Sequence, residues 1–94
     1  MNFEIRQGIA RKRLRIVSEP VFLVGANGDC DLVLGDPQFS PIHFYLLRRD
    51  GVTLLRRVGL SPEVSINGRV ANTAIIHEGD RIRTGPFEFV VRAA

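Results

Sequence analysis

The sequence is poor in the residues on which disulfides, metal centres and membrane spans depend. It contains one cysteine and two histidines in 94 residues. Cys30 cannot form an internal disulfide, and its separation from His43 and His77 matches no zinc-binding spacing. No apolar run approaches the roughly 20 residues needed to span a bilayer. We therefore expect no metal, no cofactor and no membrane insertion of this chain.

The N-terminal stretch also lacks the features of a targeting signal. Charged residues interrupt residues 1–17 throughout, which leaves no apolar core for a signal peptide. The chain is 45% hydrophobic and 24% charged, which is the balance of a globular protein rather than of a disordered tail. A length of 94 residues predicts a single domain spanning 1–94. A cytoplasmic location, bacterial or other, fits these features best.

Basic residues outnumber acidic ones by a small margin. Thirteen Lys and Arg stand against ten Asp and Glu, and five of the thirteen lie within the first fifteen residues. Such a segment could contact nucleic-acid phosphates or an anionic lipid surface, but the alternation of Leu14 and Ile16 explains it as a strand without any ligand. Arginines at 48–49 and 56–57 would cluster if their strands pair, yet no aromatic residue lies among them for base stacking. Nucleic-acid binding is therefore not expected.

Short apolar segments separated by turn residues run from one end of the chain to the other. Turn signals recur about every 8–12 residues, and no long window shows a helical period. Asp50-Gly51 and Asn67-Gly68 have the composition of type I′ hairpin turns. This pattern predicts an all-β protein folded as a sandwich.

Several motifs occur in one order along the chain. Gly25 closes an apolar strand, residues 31–34 follow, Ser40 and His43 precede the next strand, and a Gly-Asp pair opens the segment 79–85. This order resembles the forkhead-associated (FHA) domain. The resemblance implies a SMAD/FHA β-sandwich of two packed, mostly antiparallel sheets, which in that family reads phosphothreonine peptides through loops at one end.

Of the residues that bind the phosphopeptide in the FHA family, Ser40 is kept here, Ser61 is a further candidate, and the others are replaced. The family's Gly-Arg pair corresponds to Gly25-Ala26, and Pro41 stands where the Ser-Arg-x-His motif has Arg. The family's Ser/Thr-x-Asn-Gly loop falls on residues 60–63, where Pro62 replaces the Asn. A phosphate of charge near −2 needs fixed cations and donors, which alanine and proline do not supply. We therefore predict a non-catalytic protein–protein interaction module that has lost phosphothreonine recognition.

The resemblance also indicates which residues form the candidate site. The candidate partner or phosphopeptide surface consists of Asn27, Phe39, Ser40 and Ser61. The residues expected to brace the loops are Gly25, His43, Asn67 and Gly68. For Phe39, an exposed ring on a partner surface and a ring tucked under the loop are both open.

Catalysis by Ser40 and His43 is not expected. A nucleophilic serine needs a base, an orienting third group and oxyanion donors. Asp36 is the only carboxylate nearby in sequence, and no Gly-x-Ser-x-Gly pattern is present. We therefore assign no catalytic residue.

Two alternative functions remain open. One is a phosphothreonine-binding signalling domain with a remodelled pocket. The other follows from the segments at 28–37 and 41–43, which are similar to the FHA-like cytoplasmic domain of type III secretion inner-membrane ring proteins. That likeness implies a cytoplasmic assembly domain.

Overall fold

The computed structural model describes residues 1–8 and 11–93, and the described part contains eleven strands and no helix. In chain order the strands are β1 Asn2–Gln7, β2 Arg11–Ile16, β3 Val21–Gly25, β4 Leu32–Val33, β5 Phe44–Arg49, β6 Val52–Arg57, β7 Ser65–Ile66, β8 Arg69–Val70, β9 Thr73–Ile76, β10 Arg81–Thr84 and β11 Phe87–Arg92.

The strands form two sheets. The six-stranded sheet has the order β2-β1-β11-β10-β7-β8, and the five-stranded sheet has the order β4-β3-β5-β6-β9. Only the short pair β3–β4 is parallel among the described pairings. The prediction of an all-β sandwich with two mostly antiparallel sheets is confirmed.

The core lies between the sheets and is rich in phenylalanine. Side chains of a strand alternate between its two faces, so every second residue points inward. Phe89 of the six-stranded sheet is fully buried. Its ring centre lies 5.5 Å from that of Phe3 in the same sheet and 5.8 Å from that of Phe44 in the five-stranded sheet. Such ring pairs add packing energy beyond the area they bury.

Both predicted hairpin turns are present. Asp50 and Gly51 have φ angles of 54° and 75°, and Asn67 and Gly68 have φ angles of 53° and 84°. Two successive positive φ angles define the type I′ turn that matches the twist of the paired strands.

The four paired arginines do not form one cluster, and that expectation was wrong. In the β5–β6 pairing, Arg49 lies opposite Val52 beside the turn, whereas Arg56 lies opposite Tyr45 toward the other end of the hairpin. Because each strand is six residues long, the two Arg-Arg pairs fall at opposite ends of the hairpin.

We call "the loop end" the end of the sandwich formed by residues 25–31, 34–43, 58–64 and 85–86. The opposite end carries the Asp50-Gly51 turn, the Asn67-Gly68 turn and residues 77–80. Within the described residues, no helix is long and apolar enough to cross a membrane.

Candidate functional site: the loop end

Backbone hydrogen bonds fasten two loops of the loop end to each other. The Ala26 amide donates to the Ser40 carbonyl at 3.0 Å, and the Asn27 amide donates to the Pro41 carbonyl at 3.0 Å. The Cys30 thiol donates to the same Pro41 oxygen at 3.2 Å. The loop that follows β3 and the loop that precedes β5 therefore form one connected layer.

Gly25 makes this close approach possible. A Cβ at Gly25 would overlap the Pro41 carbonyl oxygen and would lie 2.8 Å from the Ile42 Cα, both of them backbone atoms. Only glycine leaves room for the backbone at position 25 to pass this close to the backbone of Pro41 and Ile42. Its predicted bracing role has a steric basis.

His43 connects three segments at the centre of the loop end. Its side chain is fully buried, and Nε2 lies 2.8 Å from the Thr84 hydroxyl on β10 of the other sheet. Its backbone amide donates to the Val24 carbonyl, and its carbonyl accepts from the amides of Val58 and Gly59. The histidine thus links β3, β10 and the loop after β6.

The imidazole of His43 is held in its neutral form. Burial lowers the pKa of His43, and the nearby Arg57 guanidinium lowers this pKa further. In the described part of the chain, Nδ1 is buried and has no hydrogen-bond partner. A charged imidazolium would place a second, unpaired N–H donor in that buried position, which agrees with the direction of the pKa shift.

Gly59 is a structural residue that the sequence reasoning missed. A Cβ at Gly59 would lie 2.6 Å from His43 Nδ1 and 2.9 Å from Ser40 Oγ. A glycine is required here because the buried ring and the serine hydroxyl occupy the space of a side chain. The only signal in the sequence was a glycine between two apolar residues, Val58 and Leu60.

Three aliphatic side chains are exposed at the loop end, among polar and acidic ones such as Asn27, Asp29 and Glu63. Leu60 is 90% exposed, Val58 is 52% exposed and Ile42 is 38% exposed. Val58 and Ile42 flank the same hydrogen bond, since the Val58 amide donates to the carbonyl of His43. Ala26 stands where the FHA family has its phosphate-holding arginine, and Pro41 stands where the family's Ser-Arg-x-His motif has Arg, so neither position carries a charge.

Comparison with known proteins identifies the family. The family model described as the inner membrane component of the type III secretion system, cytoplasmic domain, matches residues 4–94. The chain belongs to this family. A search of curated proteins found no match.

Solved structures show that the chain has the FHA fold. The Slr1951 protein from Synechocystis sp. superposes with a TM-score of 0.85 at 20% identity, over 99% of this chain and 97% of that one. The FHA domain of the CT664 protein from Chlamydia trachomatis gives 0.76 at 21% identity, over 100% of both chains. The N-terminal FHA domain of Rad53p from S. cerevisiae, solved with a phosphothreonine peptide, gives 0.76 at 20% identity, over 95% and 90%. The expected FHA-like sandwich is confirmed.

Three of the four residues predicted for the partner surface are accessible in this FHA-like domain. Asn27 and Ser61 are exposed, and Ser40 is half-buried. The Asn27 side chain accepts a hydrogen bond from the Asp29 amide at 2.8 Å, which holds the turn after β3. Whether these residues contact a partner stays a prediction.

Phe39 does not present its ring to a partner, so the exposed alternative was wrong. It is 5% exposed, and its ring centre lies 4.9 Å from that of His43 and 5.6 Å from that of Phe87. Phe39 packs beneath the loop because Gly85, with no side chain and a φ of 53°, leaves space for the ring.

Asn67 and Gly68 do not brace the loop end of this domain. Their turn lies at the opposite end, where Asn67 Nδ2 donates to Asp80 at 2.9 Å and the Arg81 amide donates to Asn67 Oδ1 at 3.0 Å. The turn therefore holds the loop between β9 and β10. The loop that this turn braces is therefore not one of the recognition loops, because β7 leads the chain away from the loop end.

Cys30 is a buried free thiol. Burial raises the pKa of the Cys30 thiol, and the charges of Asp31 and Asp29 add to the rise, against a lowering by the hydrogen bond with the Asn27 backbone. A thiol rather than a thiolate is the form that donates to the Pro41 carbonyl.

We expect His43→Ala to lower the free energy of unfolding of this domain by about 1–3 kcal/mol, because the buried Thr84 hydroxyl would lose its partner. Thr84 is 2% exposed, so water does not readily replace the imidazole. Urea unfolding of both proteins at pH 7.5 measures the difference, and a variant as stable as the wild type would contradict the assignment.

The pH dependence of stability provides a second readout for His43. Histidine in the unfolded chain titrates near about 6.5, so the unfolded state binds more protons than a folded state in which the His43 pKa is lowered. The stability due to neutral His43 is therefore complete above about pH 6.5 and is lost as the pH falls through the folded pKa. We expect His43→Gln to reduce the decrease in unfolding free energy as the pH falls. The control His77→Ala changes the exposed second histidine and should leave that decrease unchanged.

Proposed function

We propose that this domain binds a protein partner without requiring phosphothreonine, as a cytoplasmic assembly domain of a type III secretion-like complex. The FHA-like fold and the family support a protein-interaction module. The observation that carries the phosphate-independent part is that the loop end exposes the aliphatic side chains of Leu60, Val58 and Ile42 and has the uncharged Ala26 where FHA domains hold phosphate with an arginine.

The argument against phosphate rests on charge. A phosphothreonine carries close to two negative charges and binds through bidentate arginine and backbone donors. Ala26 has no charge and donates its amide to Ser40, while Pro41 and Pro62 have no N–H to donate. Desolvating a phosphate against these groups would cost more free energy than they return.

The argument for a protein partner rests on exposure. Leu60 is 90% exposed, so its side chain contributes little to the stability of the folded domain itself. Leu60, Val58 and Ile42 expose aliphatic surface at the loop end, and Asn27, Ser40 and Ser61 expose polar groups at the same end. Protein–protein interfaces combine apolar and polar groups of these kinds.

One observation favours a second candidate, phosphothreonine binding by a remodelled pocket. Arg57 lies at the end of β6 opposite Phe44 and close enough to His43 to lower the pKa of that histidine. Arg57 is half-buried, and the described residues contain no ion pair to it. Its charge lies near His43, and it is the cation that this second candidate assigns to the phosphate.

NMR titration of the labelled domain separates the two candidates. A degenerate phosphothreonine peptide library is compared with its unphosphorylated twin, on the wild type and on Arg57→Gln. We expect no difference between the two libraries in the shifts of Ala26, Ser40 and Ser61. Phosphate-dependent shifts at these residues that disappear in Arg57→Gln would overturn the proposal and establish the remodelled pocket.

A further inference from the structure

The outer face of the six-stranded sheet combines an ion-pair network with two exposed aliphatic side chains of β2, Leu14 and Ile16. On the six-stranded sheet, Glu4 and Glu88 are each held between arginines: Arg6 lies 2.6 Å from Glu4 and 3.6 Å from Glu88, and Arg83 lies 2.8 Å from Glu88. Arg81 and Arg92 complete this network at 3.5 Å and 3.6 Å. The charged groups of this network are therefore paired with one another within the face.

The five-stranded sheet carries an apolar row on its outer face. Val21 pairs with Leu47, Leu47 with Leu54, and Leu54 with Ile75, so four aliphatic side chains from β3, β5, β6 and β9 lie side by side. Leu47 is 37% exposed, Ile75 46% and Val21 48%. Neighbouring strands lie about 4.8 Å apart, so the row spans roughly 14 Å across the sheet.

The charges bordering this apolar row are positive. Arg56 lies on the outer face opposite Tyr45 and Thr73, on one side of the row, and Arg49 lies opposite Val52 on the other side. No acidic residue belongs to strands β3, β4, β5, β6 or β9. Asp50, in the turn, lies 3.9 Å from Arg49, and both side chains are 92% exposed. A pair this open to water leaves the arginine available to a partner.

From this pattern we propose that the outer face of the five-stranded sheet is a second docking surface, which binds an acidic amphipathic segment of a partner protein. Apolar side chains of the segment would cover the row, and carboxylates on its two flanks would meet Arg49 and Arg56. A helix advances 1.5 Å per residue, so about ten residues cover the length of the row. This surface is distinct from the loop end and does not depend on the function proposed for it.

The observations favour such a segment over two other occupants. A second copy of the domain would bring Arg49 and Arg56 against the same arginines, a like-charge contact that opposes association. An anionic membrane would be held by only two cations, and no aromatic side chain on this face stands out for insertion, since Tyr45 is half-buried.

The test uses three synthetic 14-residue helical peptides and the labelled domain. The first carries leucine on one face and glutamate on both flanks, the second has lysine for glutamate, and the third has serine for leucine. We expect the acidic peptide to shift the NMR signals of Val21, Leu47, Leu54 and Ile75, and to bind at least about tenfold more tightly than either twin.

Matched variants locate the contact. We expect Arg49→Glu/Arg56→Glu to weaken binding of the acidic peptide about tenfold or more. Arg13→Glu/Arg69→Glu changes the net charge equally on the other sheet and should have little effect. Leu47→Ser/Ile75→Ser should also abolish the shifts while the domain remains folded, as judged by its spectrum.

Three results would overturn this inference. The acidic and lysine peptides could bind equally, or the shifts could map to the loop end. The third result is an acidic peptide that leaves the NMR signals of the apolar row unshifted, together with a different ligand for the face. The wild-type domain would then bind phosphatidylglycerol vesicles, or self-associate in sedimentation, and the variants would lose that property. In the third case the face would belong to a membrane or to a second copy.

Discussion

Gly25→Ala should lower the free energy of unfolding by about 3 kcal/mol. The added methyl group would overlap the carbonyl oxygen of Pro41 and press on the Ile42 Cα. Backbone cannot rotate away as a flexible side chain can, so the loop before β5 must move. That movement would also break the hydrogen bonds from Asn27 and Cys30 to Pro41. Urea unfolding monitored by circular dichroism measures the change.

Gly28→Ala is the matched control for this substitution. Gly28 lies three residues further along the same loop, and a Cβ there would meet no atom within 4 Å. We expect its effect to stay within about 0.5 kcal/mol, since an unstrained alanine mainly restricts the unfolded chain. Equal effects of the two alanines would mean that the close passage of the loops does not limit stability.

Phe89→Ala should have the largest effect, a loss of about 3–5 kcal/mol, because it removes a buried ring and leaves a cavity. Phe89 is fully buried and contacts Phe3, Phe44 and Phe87, so the cavity would open between the two sheets. The measurement is again urea unfolding. The slope of the unfolding free energy against urea concentration is compared between the wild type and the variant, because an unchanged slope indicates that both unfold in one step.

Val70→Ala controls for the loss of an apolar side chain without a cavity. Val70 is 58% exposed on β8, so we expect a change within about 0.5 kcal/mol. A Phe89→Ala protein that lost less than about 1.5 kcal/mol would show that the core collapses around the missing ring, and the interior would be less closely packed than the ring distances indicate.

Local sequence patterns predicted most of the strands and both hairpin turns. The alternation of Leu14 and Ile16 and the turns at Asp50-Gly51 and Asn67-Gly68 depend on neighbouring residues, which a sequence displays directly. These features need no knowledge of which strands pair.

The features that sequence reasoning missed depend on contacts between distant residues. Phe39 is buried because Phe87 and Gly85, almost fifty positions away, form its pocket. Gly59 is needed because His43 and Ser40 fill the space beside it. The apolar row joins Val21 to Ile75 only through the register of four strands. A pattern along the chain does not contain these distances.

The candidate site was half predictable for a related reason. The family's motif located the loop end through Gly25, Ser40 and His43, and showed that its arginines are replaced. The motif could not show which side chains the loop end exposes in place of those arginines. That information came from the exposure of Leu60 and Val58 and from the position of Arg57 near His43.

The pairing of β1 with β11 brings the two ends of the folded chain together. Asn2 lies directly opposite Arg92, which places their Cα atoms about 5 Å apart, and the Met1 amine contacts the Val17 carbonyl at the end far from the loops. A support, label or fused protein attached at either terminus would therefore leave the loop end facing outward. Because the first and last strands pair, a short linker could join the two ends without disturbing either sheet, which makes circular permutation practical.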